Sequence, residues 1–286
     1  MKLKAWLWFA IVTTLFWGVW GAFIEIPEKA GFPATLGYSV WALTMIPCAL
    51  VALAIVHWKL EHDARSVFLG STVGLLGAGG QLILFEALRL GPAYLVFPII
   101  SVYPVVTISL SLTLLHERAS RRAWTGIVFA LIAMVALSYQ APGNSAVRGS
   151  LWLLLAFLVF LMWGIQAYVM KFSNQTMRAE SIFFYMMATA LLLIPVAALM
   201  TDFSRPINWG FKGPYLAALI QVLNSIGALC LVYALRYGKA IIVAPLTALA
   251  PVLTIIISLT LYRVIPHPVI LGGMVFATLA IYLLAE

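Results

Sequence analysis

The side chains of this sequence that could bind a small molecule are a few amides, aromatic rings and one acid, all inside long apolar runs. Gln221 and Asn224 are spaced i, i+3 within one run, so their carboxamides lie on the same face of a helix. Because a buried amide without a partner is costly, each must find a hydrogen bond. They either bind a ligand across a cavity from Gln81 or hydrogen-bond a neighbouring helix, and the sequence favours neither.

Glu86 is the only acidic residue that we place inside an apolar run. A charged group inside a membrane costs about 2.5–3.5 kcal/mol on insertion scales, so it usually has a function, here the binding of a proton or of a substrate amine. The alternative is structural, because Arg89 lies three residues further along the same helix face and could pair with Glu86. Tyr233 occupies the position equivalent to Glu86 in the repeat described below, and it joins the candidates.

Aromatic side chains form two further groups of candidates. Trp17 and Trp20 share one face of the first run, and Trp163 and Gln166 share one face of the sixth. Membrane tryptophans usually lie at the interfaces with water, but Trp17 and Trp163 are deeper than that. They either stack on an apolar or cationic substrate or pack between helices.

Prolines inside the apolar runs predict breaks in the helices, because a proline removes a backbone donor and loosens a carbonyl. The predicted hinges are Pro98, Pro104, Pro245 and Pro251. Breaks of this kind create polar backbone near a substrate site, so Tyr103 and Thr247 beside them are candidates for substrate binding. The alternative for the Thr247 hydroxyl is a hydrogen bond to the preceding helical turn.

The composition identifies the environment of these residues as a lipid bilayer. Of 286 residues, 64% are hydrophobic and 9% are charged, whereas a soluble domain carries about a quarter charged residues. Unbroken apolar runs of roughly 18 to 24 residues are long enough to cross about 30 Å of hydrocarbon as helices. The basic residues behind the net charge of +8 lie singly or in small clusters between these runs, which indicates membrane topology rather than a nucleic-acid partner.

The sequence therefore predicts an all-α integral membrane protein with about ten transmembrane helices. The predicted spans are 5–24, 34–57, 67–88, 93–115, 122–139, 151–171, 181–200, 213–235, 240–262 and 267–285. Lysine and arginine are more frequent in the connections on the side of the N-terminus, which places both termini in the cytoplasm. We expect the chain in the inner (plasma) membrane of a bacterium or archaeon.

An internal repeat divides the chain in two. Residues 87–114 align with 234–261 without a gap at an offset of 147 residues, and the matches include prolines, glycines and an arginine. Each half has five predicted spans, an odd number, so the halves must lie in opposite orientations, as in alternating-access transporters. The predicted units are 1–140 and 151–286, joined by a linker at 141–150. The halves differ chemically where Gly77 aligns with Asn224, and such mismatched positions are where we expect substrate selection.

These repeated motifs resemble the drug/metabolite transporter superfamily, specifically the EamA-like transporters. The motifs are Trp17-Gly18, Trp163-Gly164, the stretches 87–104 and 234–251, Glu117-Arg118, Gly126 and Gly272-Gly273. The resemblance implies a central cavity lined mainly by the third, fourth, eighth and ninth helices, with the first and sixth helices as gates. Two departures are visible. Val264-Ile265 replaces the acidic–basic pair in the second half, and Glu25 stands where the second half has Lys171.

We expect a secondary active transporter that exports a neutral, zwitterionic or cationic organic molecule such as an amino acid. The alternative is a channel-like or structural membrane protein without alternating access. An enzyme is disfavoured, because no phosphate-binding glycine loop is present and the four histidines are too scattered for a metal site. We expect no cofactor, a monomer or homodimer, and free thiols at Cys48 and Cys230. Coupling to a proton or another ion is left open.

Overall fold

The computed structural model of the protein describes residues 4–91, 93–139, 150–262 and 266–285, and this part of the chain is helical and contains no strand. The helices of the first half are α1 (Ala5–Phe23), α2 (Glu25–Lys29), α3 (Ala34–Ile55), α4 (Ala64–Leu90), α5 (Ala93–Ser101), α6 (Pro104–Thr113) and α7 (Arg121–Leu137). Those of the second half are α8 (Leu151–Ser173), α9 (Ala179–Leu192), α10 (Ile194–Leu199), α11 (Leu216–Tyr237), α12 (Ala240–Thr247), α13 (Ala250–Tyr262) and α14 (Pro268–Leu284). A π-helical turn, Phe211–Tyr215, precedes α11.

These helices confirm the prediction of about ten spans in an all-α membrane protein. Within the described residues, 8 continuous or broken helices are long and apolar enough to cross a membrane. The shorter helices α7 and α14, of 17 residues each, coincide with the fifth and tenth predicted spans.

Prolines account for the breaks inside two of the spans, the fourth of each half. Pro104 is the first residue of α6 and Pro251 the second residue of α13, positions where a missing N–H costs nothing. Pro98 and Pro245 lie inside the short helices before these breaks. The hydroxyl of Ser101 donates to the Pro98 carbonyl oxygen at 2.9 Å, which satisfies one acceptor beside the break. The breaks lie where the prolines predicted them, and their role as hinges stays a prediction.

The connections between helices collect at two ends of the bundle. At the first, which we call the Glu61 end, Arg178 pairs with Glu61 at 3.4 Å. At the second, the Thr35 end, the hydroxyls of Thr35 and Thr201 are 2.7 Å apart.

The two halves of the chain run in opposite directions between these ends. Helix α8 finishes at the Glu61 end, where its residue Lys171 donates to the Gly238 carbonyl oxygen. Helix α1 begins at that same end, because Trp6 packs against Gly238. The first helix of each half therefore starts at a different end, which confirms the inverted repeat.

Each first helix packs between the third and fourth spans of the other half. Helix α1 contacts α11, α12 and α13, and α8 makes the equivalent contacts with α4, α5 and α6. Helices α7 and α14, the last helix of each half, pack against each other and add to the contacts between the halves. The core of the molecule is thus mainly an interface between the halves.

Two equivalent glycines permit this packing. A Cβ at Gly164 would lie 2.7 Å from the carbonyl oxygen of Tyr103, and one at Gly18 would lie 3.1 Å from that of Ala250. Both carbonyls belong to the proline breaks. Thr107 donates to the Gly164 carbonyl oxygen at 2.8 Å, and Thr254 donates to that of Gly18 at 2.9 Å. Small residues let the backbones approach this closely.

The close approach predicts that a single methyl group destabilises the interface. Gly164→Ala should lower the free energy of unfolding by about 1–3 kcal/mol, because the new Cβ overlaps a backbone oxygen that cannot move alone. Gly272→Ala is the matched control, since a Cβ there meets nothing within 4 Å and alanine has the higher helix propensity. Melting temperatures in detergent should fall by several degrees for the first variant only. Equal melting of the two variants would contradict the packing described.

Candidate functional site

Eight of the predicted site residues lie in two groups at the interface between the halves. The α1–α11 cluster contains Trp17, Trp20, Gln221 and Asn224. The α4–α8 cluster contains Gln81, Tyr103, Trp163 and Gln166.

In the α1–α11 cluster, the amide of Gln221 is fully engaged by the protein. Its Oε1 accepts hydrogen bonds from Trp20 Nε1 at 2.9 Å and from Asn224 Nδ2 at 3.3 Å. Its Nε2 donates to the Gly37 carbonyl oxygen at 3.3 Å. Gln221 is buried, so these three bonds satisfy a group that lipid could not. For this residue the geometry matches the interhelical alternative.

The two deep tryptophans occupy equivalent positions. Trp17 donates to the Asn224 carbonyl oxygen and Trp163 to the Gly77 carbonyl oxygen, both at 3.3 Å. Each indole contacts a glycine of the other half's third span, because a Cβ at Gly227 or Gly80 would lie 2.6 Å from the indole nitrogen. The indole ring of Trp163 additionally meets Tyr103 edge to face, with ring centroids 6.1 Å apart.

The α4–α8 cluster keeps its amides free. Gln166 lies over Gly77, where a Cβ would be 2.2 Å from its Nε2. Gln81 lies one helical turn further along α4. Within the described residues neither amide has a hydrogen-bond partner, and both are half-buried. A carboxamide left in this state inside a span is available to water or to a ligand.

The difference between the clusters follows from paired positions of the repeat. Gly74 and Gly77 stand where the second half has Gln221 and Asn224. On the α4 side the missing side chains leave room for Gln166 and for Thr189, whose hydroxyl lies where a Cβ of Gly74 would be. The sequence analysis singled out the Gly77/Asn224 mismatch. In the structure, the amide of Gln221 on the Asn224 side is hydrogen-bonded within the protein, whereas the amide of Gln166 on the Gly77 side is not.

Three other predicted residues lie outside both clusters. Glu86 accepts a hydrogen bond from Arg89 Nε at 2.8 Å, in an exposed pair that matches the structural alternative. The Thr247 hydroxyl donates to Val243 in its own helix at 2.9 Å. The Tyr233 hydroxyl donates to Glu180 Oε1 towards the Glu61 end.

Glu180 corrects the statement that Glu86 is the only acid inside a span. Helix α9 starts at Ala179, two residues before the predicted span, so Glu180 lies within a membrane-length helix and is buried. The sequence signal that could have found it was the position of the helix start, which hydropathy places only to within a few residues.

A lateral groove of about 580 Å³ lies between α5, α7 and α14. It is lined by Pro98, Val102, Leu131, Ile132, Val135, Ala136, Tyr139 and Val269. The groove therefore contains one predicted hinge proline and none of the predicted substrate-binding residues.

Comparison with known proteins gives a family and a fold. A family model described as the EamA-like transporter family matches residues 4–139 and 150–285. A search of curated proteins finds no match. A solved structure described as the crystal structure of a protein is similar over 99% of this chain and 98% of its own, with a TM-score of 0.79 and 16% sequence identity. At that identity the likeness shows a shared fold and carries no statement about substrate.

The contrast between engaged and free amides predicts different stability effects. Gln221→Leu should cost about 1–3 kcal/mol, because it leaves Trp20, Asn224 and the Gly37 carbonyl without their partner. Gln166→Leu removes no hydrogen bond among the described residues, so the melting temperature should be unchanged or higher. Thermal unfolding of both variants in the same detergent tests this. A loss of stability in Gln166→Leu equal to that in Gln221→Leu would show that Gln166 is engaged as well.

Proposed function

Because the chain belongs to the EamA-like transporter family and is a membrane transporter, we propose that it is a secondary active exporter of small organic molecules that works by alternating access. The observation that carries this proposal is the reciprocal packing of α1 and α8 against the broken spans of the opposite half. Inverted halves that meet at discontinuous helices can rock between two equivalent arrangements and expose one site to either side in turn.

Substrate binding is assigned in this proposal to the α4–α8 cluster. Its free amides at Gln81 and Gln166 can each donate and accept hydrogen bonds, and the break at Tyr103 adds polar backbone beside them. Trp163 and Tyr103 offer aromatic faces to an apolar or cationic group. The α1–α11 cluster has its Gln221 amide already engaged, so its part in the proposal is to hold the halves together.

The charge of the site narrows the substrate class. None of the eight residues in the two clusters is ionisable near neutral pH, so a polyanion would find no counter-ion among them. A neutral, zwitterionic or cationic molecule can satisfy its polar groups on the two amides and its apolar part on the rings. An amino acid has this combination of groups. Coupling to a proton or another ion would need a group outside both clusters.

The orientation rests on the charge of the connections. The Glu61 end carries many of the basic residues of the connections, namely Lys59, Arg65, Arg118, Arg121, Arg178 and Lys239. By the positive-inside rule, this charge supports a cytoplasmic location for this end and for both termini. The proposed units remain residues 1–140 and 151–286, and the linker 141–150 lies almost wholly outside the described residues.

Counterflow tests the function. Purified protein in proteoliposomes preloaded with an unlabelled amino acid should accumulate the labelled one transiently, because a carrier exchanges substrate across one alternating site. A thermal-shift screen of amino acids, nucleosides, sugars and amines selects the compound to use. Equilibration without overshoot for every compound that shifts the melting temperature would instead favour the channel-like alternative.

The site assignment predicts a separation of transport from stability. Gln81→Leu and Gln166→Leu should each lower the initial rate of counterflow at low substrate about tenfold or more, the effect of losing one hydrogen bond to a polar substrate. Their melting temperatures should stay near that of the wild type. Gln175→Leu, in the exposed connection after α8, is the matched control and should transport normally. Normal counterflow by both cluster variants would remove the site from α4 and α8.

A further inference from the structure

We propose that Lys171 and Glu117 form a charged clamp on the turn between α11 and α12, and that this clamp, absent at the opposite end, sets which side of the transporter is closed at rest. The inference rests on the alternating access proposed above. It concerns the connection at Gly238 and Lys239, which belongs to the Glu61 end.

The clamp grips the turn from both sides. Lys171 Nζ donates to the carbonyl oxygens of Leu235 at 2.9 Å and Gly238 at 2.6 Å. The two carboxylate oxygens of Glu117 accept from the backbone N–H groups of Ala240 at 3.1 Å and Ile241 at 3.0 Å.

The bonded groups are those that helices leave unpaired. A helix ends with free carbonyls and begins with free N–H groups, and its dipole favours a cation at the first place and an anion at the second. Lys171 meets the end of α11, and Glu117 meets the start of α12. Both charges therefore have the sign that the backbone favours, and both are half-buried, where screening by solvent is weaker.

The Glu117 bonds cross between the two halves. Glu117 lies in the connection between α6 and α7 of the first half, whereas α12 belongs to the second. Lys239 Nζ adds a third bond across the same interface, to the Arg118 carbonyl oxygen at 2.7 Å. Opening the Glu61 end would separate α12 from this connection and break these bonds. Lys171 acts as a positioning residue, because it fixes the turn that presents the two N–H groups to Glu117.

In the aligned sequence, the equivalent turn at the Thr35 end has no counterpart of either charge. Glu25 stands at the position of Lys171 and pairs with Lys29, with the two side chains 61% and 70% exposed. Val264, outside the described residues, stands at the position of Glu117 and has no side-chain acceptor. The turn itself is otherwise repeated, since Trp152 packs on Gly91 as Trp6 packs on Gly238.

The two ends are therefore held by bonds of different strength. At the Thr35 end, two of the bonds across the halves join neutral groups, the hydroxyls of Thr35 and Thr201 and the amide of Asn208 on the Ala30 carbonyl oxygen. Hydrogen bonds with one ionised partner are roughly twice as strong as neutral ones. The resting protein should accordingly keep the Glu61 end closed and open at the Thr35 end.

Distances between spin labels test the clamp without any substrate. Labels are attached to cysteines that replace Leu114 and Tyr237, exposed residues of the two halves near the Glu61 end, after Cys48 and Cys230 are changed to serine. Lys171→Met and Glu117→Gln should each raise the fraction of molecules with the longer, open distance about fivefold or more, the range of typical conformational coupling. Lys171→Arg, which keeps the charge and the donors, should retain the wild-type distribution.

Glu25→Gln is the matched control at the equivalent position and should leave the distances unchanged. Wild-type distances in the well-folded Lys171→Met and Glu117→Gln variants would overturn the clamp, as would an equal shift in Glu25→Gln. If either Lys171→Met or Glu117→Gln aggregates, the distances in the other variant test the clamp. Because no substrate is present, failure of wild-type counterflow would overturn the proposed function alone, and unshifted distances beside normal counterflow would overturn the clamp alone.

Discussion

The fold depends on the close packing of each proline break against the first helix of the other half. Lipid satisfies no backbone group, so irregular backbone survives in a membrane only when it is buried in protein that bonds to it or packs on it. Here Thr107 and Thr254 reach across the interface to the carbonyls of Gly164 and Gly18, and those glycines in turn sit directly on the proline breaks. The breaks, the glycines and the threonines require one another. That mutual requirement explains why each half stabilises the other half's discontinuous span.

Within this shared frame, the chemistry lies where the halves differ. Trp17 and Trp163 bond to equivalent carbonyls and pack on equivalent glycines. Their positions therefore follow from the shared fold and do not by themselves indicate a substrate. The amides are unequal, because Gln221 is used by the protein while Gln166 lies free over a glycine. A repeat that folds symmetrically can therefore place a polar site on one side of the interface only.

Much of the fold was predictable from the sequence because its signals are local. Hydropathy located the spans, and prolines aligned between the halves located the breaks and the inverted repeat. Whether each polar side chain is hydrogen-bonded within the protein was not predictable, because that depends on which groups lie across the interface between the halves. Nothing in the sequence distinguishes Gln221 from Gln166 until Gly37 and Trp20 are placed beside the first and Gly77 beside the second. Glu180 was missed for a different reason, since a shift of two residues in a helix start moved a buried acid out of the predicted span.

The symmetry of the repeat also determines how much free energy is needed to favour one orientation of the transporter over the other. In a carrier with identical halves, the arrangements open to either side would have equal free energy, and neither would predominate. Reversing a two-state equilibrium from about 1:99 to 99:1 takes about 5.5 kcal/mol. Hydrogen bonds to charged groups contribute about 1.5–3 kcal/mol each, so the two that Glu117 makes between the halves, on the turn that Lys171 fixes, are enough to set a resting orientation. They are also few enough for a bound substrate to offset. An asymmetry limited to a handful of positions thus favours one resting arrangement without blocking the other.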